Sequence, residues 1–157
     1  MASTKYTYRM AYESEWQDAM GLAWRVFIEF DAPDYTKQGV QSFWEFVNDD
    51  ALERMFRCGG YQVFLALDGD KKIGILTLRD TSHISLLFVD GAYQRQGVGS
   101  ALLDTAREYL LSETGAEHLT VFAAPYGMKF YQNRGFTVLS EEKETDGIRY
   151  TPMVFYL

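Results

Sequence analysis

Cysteine is nearly missing from this chain of 157 residues, where Cys58 stands alone. A single thiol excludes a disulfide framework within the chain and a metal site built from several cysteines, and no metal is expected. Cys58 sits in "FRCGG", between a helical stretch and a strand, and reads as a small buried side chain rather than a reactive thiol. Basic residues are also in deficit, with 15 Lys and Arg against 22 Asp and Glu and a formal charge of -7. Nonspecific nucleic-acid binding needs a basic surface that displaces counterions from phosphates, so that class is disfavoured. An acidic surface draws cationic partners such as amines instead. No apolar stretch approaches the roughly 20 residues of a membrane span, and "MASTKYTYRM" has no run like that of a signal sequence. The expected location is cytoplasmic, with neither membrane nor nucleic acid as a partner. Repeats, low-complexity tracts and linkers are missing too, so a single domain over residues 1–157 is expected.

Aromatic residues are what the chain has in quantity: 16% of the total, with 11 Tyr and 11 Phe. The 47% hydrophobic and 24% charged content is that of a folded globular protein. At this length about two thirds of the unfolded surface becomes buried. Aromatic side chains bring large contact areas to cores and ligand clefts, so the surplus leans toward a binding site.

Periodicity divides the chain into elements. "KYTYRMAY" alternates as a first strand, and Trp16, Ala19, Met20, Ala23, Trp24 and Phe27 recur at helical spacing from about Glu13 to Phe30. After "DAPDYTKQG", a second helix places Val40, Phe43, Trp44 and Val47 on one face. "YQVFLAL" and "KKIGILTLRD" form strands joined by "DGD", a hairpin signal because Asp-Gly accepts positive φ. "HISLLFV" (His83 to Val89) is nearly all apolar and is expected at the sheet centre, buried on both faces. A helix to about Glu113, the strand "HLTVFAA", a short helix from Pro125 to Gly135, and strands "FTVLSEEKE" and "RYTPMVFYL" complete the chain. The order β-αα-β-β-β-α-β-α-β-β is that of a mixed α/β sheet. The apolar ending "MVFYL" fits a homodimer contact and equally a strand buried within one chain.

The stretch "DGAYQRQGVGSALL" (Asp90 to Leu103) joins the apolar strand to a helix whose first turn holds Gly97, Val98 and Gly99. Unpaired N–H groups at a helix start carry partial positive charge, and glycines there let a bulky anion approach. Arg95 adds positive charge. The spacing is neither Gly-x-x-x-x-Gly-Lys-Ser/Thr nor Gly-x-Gly-x-x-Gly, because position 102 is Leu. A glycine-loosened turn with no ligand remains the alternative on this stretch alone.

Gln94-Arg95-Gln96-Gly97-Val98-Gly99, after an apolar strand and before an amphipathic helix, resembles the Arg/Gln-x-x-Gly-x-Gly/Ala turn of the GNAT superfamily of acetyl-CoA-dependent N-acetyltransferases. "FYQNRGF" (Phe130 to Phe136) is similar to that superfamily's Phe-Tyr-x-x-x-Gly-Phe, one strand and a short helix later. "EFDAPDY" and "DGIRYTPM" resemble a bacterial branch of small enzymes of this kind. The resemblance implies a mostly antiparallel central sheet of about seven strands flanked by about four helices, and acetyl-CoA as co-substrate. It implies that Gln94, Arg95, Gln96, Gly97, Val98, Gly99 and Ser100 hold the CoA pyrophosphate, and that Leu87, Phe88 and Val89 pair with the pantetheine arm through main-chain groups. Lys129 and Arg134 lie toward the nucleotide end or are solvated helix charges.

The resemblance also implies transfer of the acetyl group to a primary amine by direct attack in a ternary complex, with Tyr131 as the acid for the leaving thiolate. A phenol near pKa ~10 and a thiol near ~8.5 are close enough for that transfer. The N–H of Val89 is the candidate oxyanion donor. Counting six positions back from Val89, where related enzymes carry a carboxylate base, gives His83. An extended strand puts it about 20 Å away, so His83 is either a base acting through a bend or relay, or a structural histidine. Glu29, Asp34 and Tyr35 are the alternatives. Where the branch often reads Val-Asn-Ser-Ser-Pro-Tyr, this chain has "VFAAPY", with Phe122 for Asn and Ala124 for the capping Ser. A lost cap costs about 1 kcal/mol. A small-molecule or peptide amine is the expected acceptor, and a non-catalytic CoA-sensing or protein-interaction domain is the rival reading.

Overall fold

The two faces of one strand set the layering. Along "YQVFLALD", Val63 and Leu65 join one hydrophobic cluster and Phe64 and Ala66 another, all almost fully buried. A strand covered on both faces needs a helical layer on each side of its sheet. The computed structural model, which describes residues 5–157, has that arrangement. In chain order its elements are β1 (Thr7–Met10), α1 (Trp16–Val26), α2 (Lys37–Val47), α3 (Asp50–Arg57), β2 (Tyr61–Asp68), β3 (Lys71–Arg79) and β4 (His83–Val89). They continue with α4 (Val98–Glu113), β5 (His118–Ala123), α5 (Met128–Asn133), β6 (Thr137–Val138), β7 (Lys143–Thr145) and β8 (Ile148–Tyr156).

The sheet runs β1-β2-β3-β4-β5-β8-β6, with β7 paired to β8. Among the described residues β4 and β5 alone run parallel, so the sheet is mixed and mostly antiparallel, as expected. On one face α1, the turn that follows it and α2 pack Ala19, Ala23, Phe27 and Phe43 against Leu65, Ile75 and Leu86. On the other, α4 buries Val98, Leu102, Ala106 and Leu110, spaced by four so that they share one stripe. Each buried leucine contributes about 1.5–3 kcal/mol.

Eight strands and five α-helices stand among the described residues, against about seven and four expected. The additional helix is α3, capped by Asp49 accepting from the Ala51 N–H at 2.8 Å and burying only Leu52. "FTVLSEEKE" divides into β6 and β7, both exposed and both paired to β8. In β8, Met153 and Val154 are buried in the register between β5 and β6, so the apolar ending serves the chain's own sheet. Cys58 is exposed, contrary to the expectation of a buried residue, because it follows the last turn of a helix that presents little but Leu52 inward. Among the described residues no helix is long and apolar enough to cross a membrane.

Candidate active site

The parallel pair β4–β5 is short. Its register holds at His83–Thr120 and Ile84–Val121, and beyond these β4 continues along β3 to Val89 while β5 continues along β8 to Ala123. The register of β3 on β4 also slips beside Ser85, where Thr77 faces Leu86 and Leu78 faces Ile84. Such a bulge bends a strand and increases its twist. β4 is therefore central but not buried on both faces as expected: Leu87, Phe88 and Val89 are only half-buried, beside a wedge without a neighbouring strand. Asp90 donates its N–H to Ile73 on β3 at 2.8 Å, so alternation turns the Val89 N–H toward the opened side. The wedge leads into a cavity of about 450 Å³ that Leu87, Phe88 and Val89 help to line.

The turn after β4 is held by Asp90. Its carboxylate accepts from the Ala92 N–H at 2.9 Å and pairs with Arg25 of α1 at 2.7 Å. Burial opposes the charged form, but the Arg25 guanidinium and the Ala92 N–H outweigh it and hold the carboxyl below its usual range. Arg95 and Gly97 both have left-handed backbone, φ 63° and 81°. For Gly97 this is free of strain, whereas a β-carbon makes it costly for Arg95. The first helical bond of α4 runs from the Ala101 N–H to the Gly97 carbonyl at 3.0 Å. The N–H groups of Val98, Gly99 and Ser100 precede it without a partner inside the helix. The two glycines do different jobs: Gly97 permits the backbone, while a β-carbon on Gly99 would meet the Phe130 ring at 3.3 Å.

The side chains of the turn are already engaged. Gln94 donates to the Val89 carbonyl at 3.0 Å and accepts from the Tyr126 hydroxyl at 3.2 Å, spanning the end of the wedge. Gln96 accepts from the Tyr6 hydroxyl at 2.7 Å. Ser100 accepts from Arg134 Nε at 2.6 Å, which ties α5 to the first turn of α4. Arg95 and Lys129 are exposed. The turn thus offers an anion its main chain rather than these side chains, with Arg95 exposed beside it.

Tyr131 lies on α5, lines the cavity and is buried. Burial pushes its phenol well above the ordinary range, and the charge of Asp31 adds to the shift. Asp31 is the residue that sequence reasoning passed over. The helix expected to run from Glu13 to Phe30 ends instead in a π turn, Phe27–Asp31, followed by a 3-10 turn, Ala32–Asp34. Wide turns of this kind recur at functional sites. Here Ile28 and Glu29 face solvent, while Asp31 is 7% exposed and lines the cavity. Burial, helped by the like charge of Asp34, raises its carboxyl to about 7. A signal was present: Asp31 follows Phe27 by four and Ala23 by eight, on the buried stripe of α1.

His83 also lines the cavity, with its Nδ1 2.7 Å from Thr120 Oγ1 and its ring edge-on to Phe122 at 4.5 Å. Burial, with the charge of Arg79, lowers it to about 4, so it is neutral at pH 7 and a weak base. Tyr35 lines the cavity against Phe27, its phenol raised by burial and by Asp31. Glu29 and Asp34 are exposed and do not line it; a β-carbon on Gly91 would meet Glu29 Oε1 at 3.4 Å, toward the turn instead. Phe122, in place of the asparagine, is 48% exposed at the cavity wall between His83 and Tyr150. Ala124 begins the Pro125–Gly127 turn without a side-chain cap.

Comparison with known proteins agrees with the fold. The family model of the acetyltransferase (GNAT) domain matches residues 31–157. No curated protein sequence matches the chain. Among solved structures, a GCN5-related N-acetyltransferase from Rhodopseudomonas palustris is similar at TM-score 0.84 and 21% identity, over 100% of this chain and 99% of that one. The PaiA N-acetyltransferase of Thermoplasma acidophilum, in complex with coenzyme A, is similar at TM-score 0.78 and 17% identity, over 97% and 99% of the two chains. A variant of the spermidine N-acetyltransferase SpeG from Vibrio cholerae gives TM-score 0.69 and 13% identity, over 98% and 95%. At these identities the likeness is one of fold.

Proposed function

The chain belongs to the GNAT acetyltransferase family, and from that premise we propose that residues 1–157 form one domain that transfers the acetyl group of acetyl-CoA to a primary amine by direct attack. The observation that carries this reading is the opened edge of β4, whose last residue, Val89, accepts from Gln94 of the turn and shares one cavity with it and with Tyr131. An unpaired strand edge suits an amide-bearing arm that adds as a strand does, and the partnerless N–H groups of Val98, Gly99 and Ser100 suit a pyrophosphate. These features fit CoA, and the complex of the PaiA enzyme with coenzyme A supports the choice. Leu87, Phe88 and Val89 are assigned to the arm; Gln94, Arg95, Gln96, Gly97, Val98, Gly99 and Ser100 are assigned to the pyrophosphate.

When bound, acetyl-CoA supplies a thioester carbonyl carbon to the amine. The Val89 N–H, turned to the opened side, donates to the oxygen on which negative charge develops. Tyr131 is assigned as the proton donor to the leaving sulfur; burial raises its phenol further above a thiol than the ordinary ~10 against ~8.5, so the proton has to move while the carbon–sulfur bond breaks rather than afterwards to a free thiolate. His83, neutral and bonded to Thr120, is assigned to shaping the wall rather than to proton transfer. The reaction needs no membrane, and a cytoplasmic location suits it.

Tyr131→Phe tests the reading. Turnover with an accepted amine should fall about 100-fold, while CoA still raises the melting temperature of the variant. CoA binding without acyl transfer to any amine would replace this reading with that of a CoA-sensing domain.

A further inference from the structure

The far end of the cavity, away from the Gly97 turn, is walled by rings. Phe27 and Phe43 stack at 4.1 Å, Phe43 meets Phe88 edge-on at 5.8 Å, and Tyr35 closes against Phe27 at 5.1 Å. Opposite them stand Phe122 and Tyr150, 4.8 Å apart. Among the described residues Asp31 is the one buried carboxylate in this lining, and no hydrogen bond or ion pair engages it. The other lining carboxylate, Asp146, is exposed at the rim, where its main-chain oxygen accepts from Ser42. Arg79, which also lines the cavity, brings positive charge and is paired to Asp80.

We propose that the acceptor is a primary amine with a single positive charge on an apolar, ring-sized body, seated between these rings with its nitrogen at Asp31. The inference rests on the acetyltransferase reading and names the substrate class of the same site. A buried ammonium needs a paired anion, and the cavity supplies one. A polyamine would carry further ammonium groups into a lining that has no second buried carboxylate to pair them and that includes the cationic Arg79. Ring faces stabilise one cation and pack an apolar body.

Asp31, as the carboxylate, takes one proton from the bound ammonium and passes it to solvent. The neutral nitrogen forms its bond to the acetyl carbon and the carbon–sulfur bond breaks. A second proton leaves the nitrogen, directly or through Tyr131, and ends on sulfur. One amide, one thiol and one released proton result. The charged and titratable groups around Asp31 are Asp34 and Tyr35 on its own segment and Tyr131 on α5, with Arg149 of β8 acting on Tyr35.

The test follows thiol release from acetyl-CoA with phenethylamine, hexylamine and spermidine. The expected kcat/KM for phenethylamine exceeds that for spermidine by about 100-fold or more, with hexylamine between them. Equal or better use of spermidine would overturn the inference and leave the acetyltransferase reading standing. Transfer to none of a wide amine panel would overturn both. Asp31→Asn should lower kcat for phenethylamine about 100-fold while keeping the CoA-induced rise in melting temperature. Wild-type rates in that folded variant would remove Asp31 from the chemistry.

Discussion

Two buried titratable groups in the cavity are displaced in opposite senses, and each displacement has a measurable consequence. Asp31 is raised from an unfolded value of 3.8 to about 7, so its proton-accepting form grows as pH rises through neutrality. The kcat/KM for amine transfer should therefore rise through about pH 7, and Asp31→Asn should lose that inflection while keeping any that belongs to the amine. Stability runs the other way. Between pH 3.8 and about 7 the folded state binds more protons at Asp31 than the unfolded state, so this group's contribution falls as pH rises through that window. Asp31→Asn should accordingly melt higher than the parent at pH 8 and gain nothing at pH 4. His83 is lowered from 6.5 to about 4; its contribution is present above 6.5 and is lost as pH falls toward 4. A base that weak supplies little, and His83→Asn should keep turnover within about threefold of the parent. A loss as large as that of Tyr131→Phe would restore His83 as a base.

At the scale of elements, the account turns on the strand–turn–helix unit from β4 to α4. The turn is fixed by Asp90, through Arg25 and the Ala92 N–H, and by the left-handed Gly97. Gly97→Ala places a β-carbon where φ is 81°, at a cost of about 1–2 kcal/mol. Titration calorimetry should show weaker CoA binding by the variant, with acceptor KM little changed; unchanged CoA affinity would separate the turn from the cofactor. This unit was legible in the sequence, since the bounds of β4 and the end of α4 at Glu113 follow from hydrophobic period alone. A helical stretch before Cys58 was legible, but α3 as a separate helix was not, because eight residues with one buried side chain leave almost no stripe to read. The π turn was not legible either. It is a local widening that tertiary packing selects, and only the inward side of Asp31, four residues after Phe27, could be read from spacing. The cofactor end could be named from the sequence because main-chain geometry does its work. The acceptor end could not, because it is assembled from side chains of α2, β4, β5 and β8 that meet only in the fold.

For the whole molecule, two helical layers hold a sheet that is continuous everywhere except where β4 leaves β5. Apolar layers cover both faces of the sheet, and the opening begins beyond the Ile84–Val121 pair. Beyond that opening Gln94 of the turn, Tyr131 and the rings around Asp31 line one cavity. The aromatic surplus read from the composition has its place there, in the walls formed by Phe27, Phe43, Phe88 and Phe122. Acetyl transfer to an amine in this cavity is read by mass spectrometry of the acceptor after incubation with protein and acetyl-CoA. The account predicts an N-acetylated amine formed in step with free thiol, and formed far more slowly by Tyr131→Phe. CoA bound at the turn with no acetylated product from any amine would contradict it.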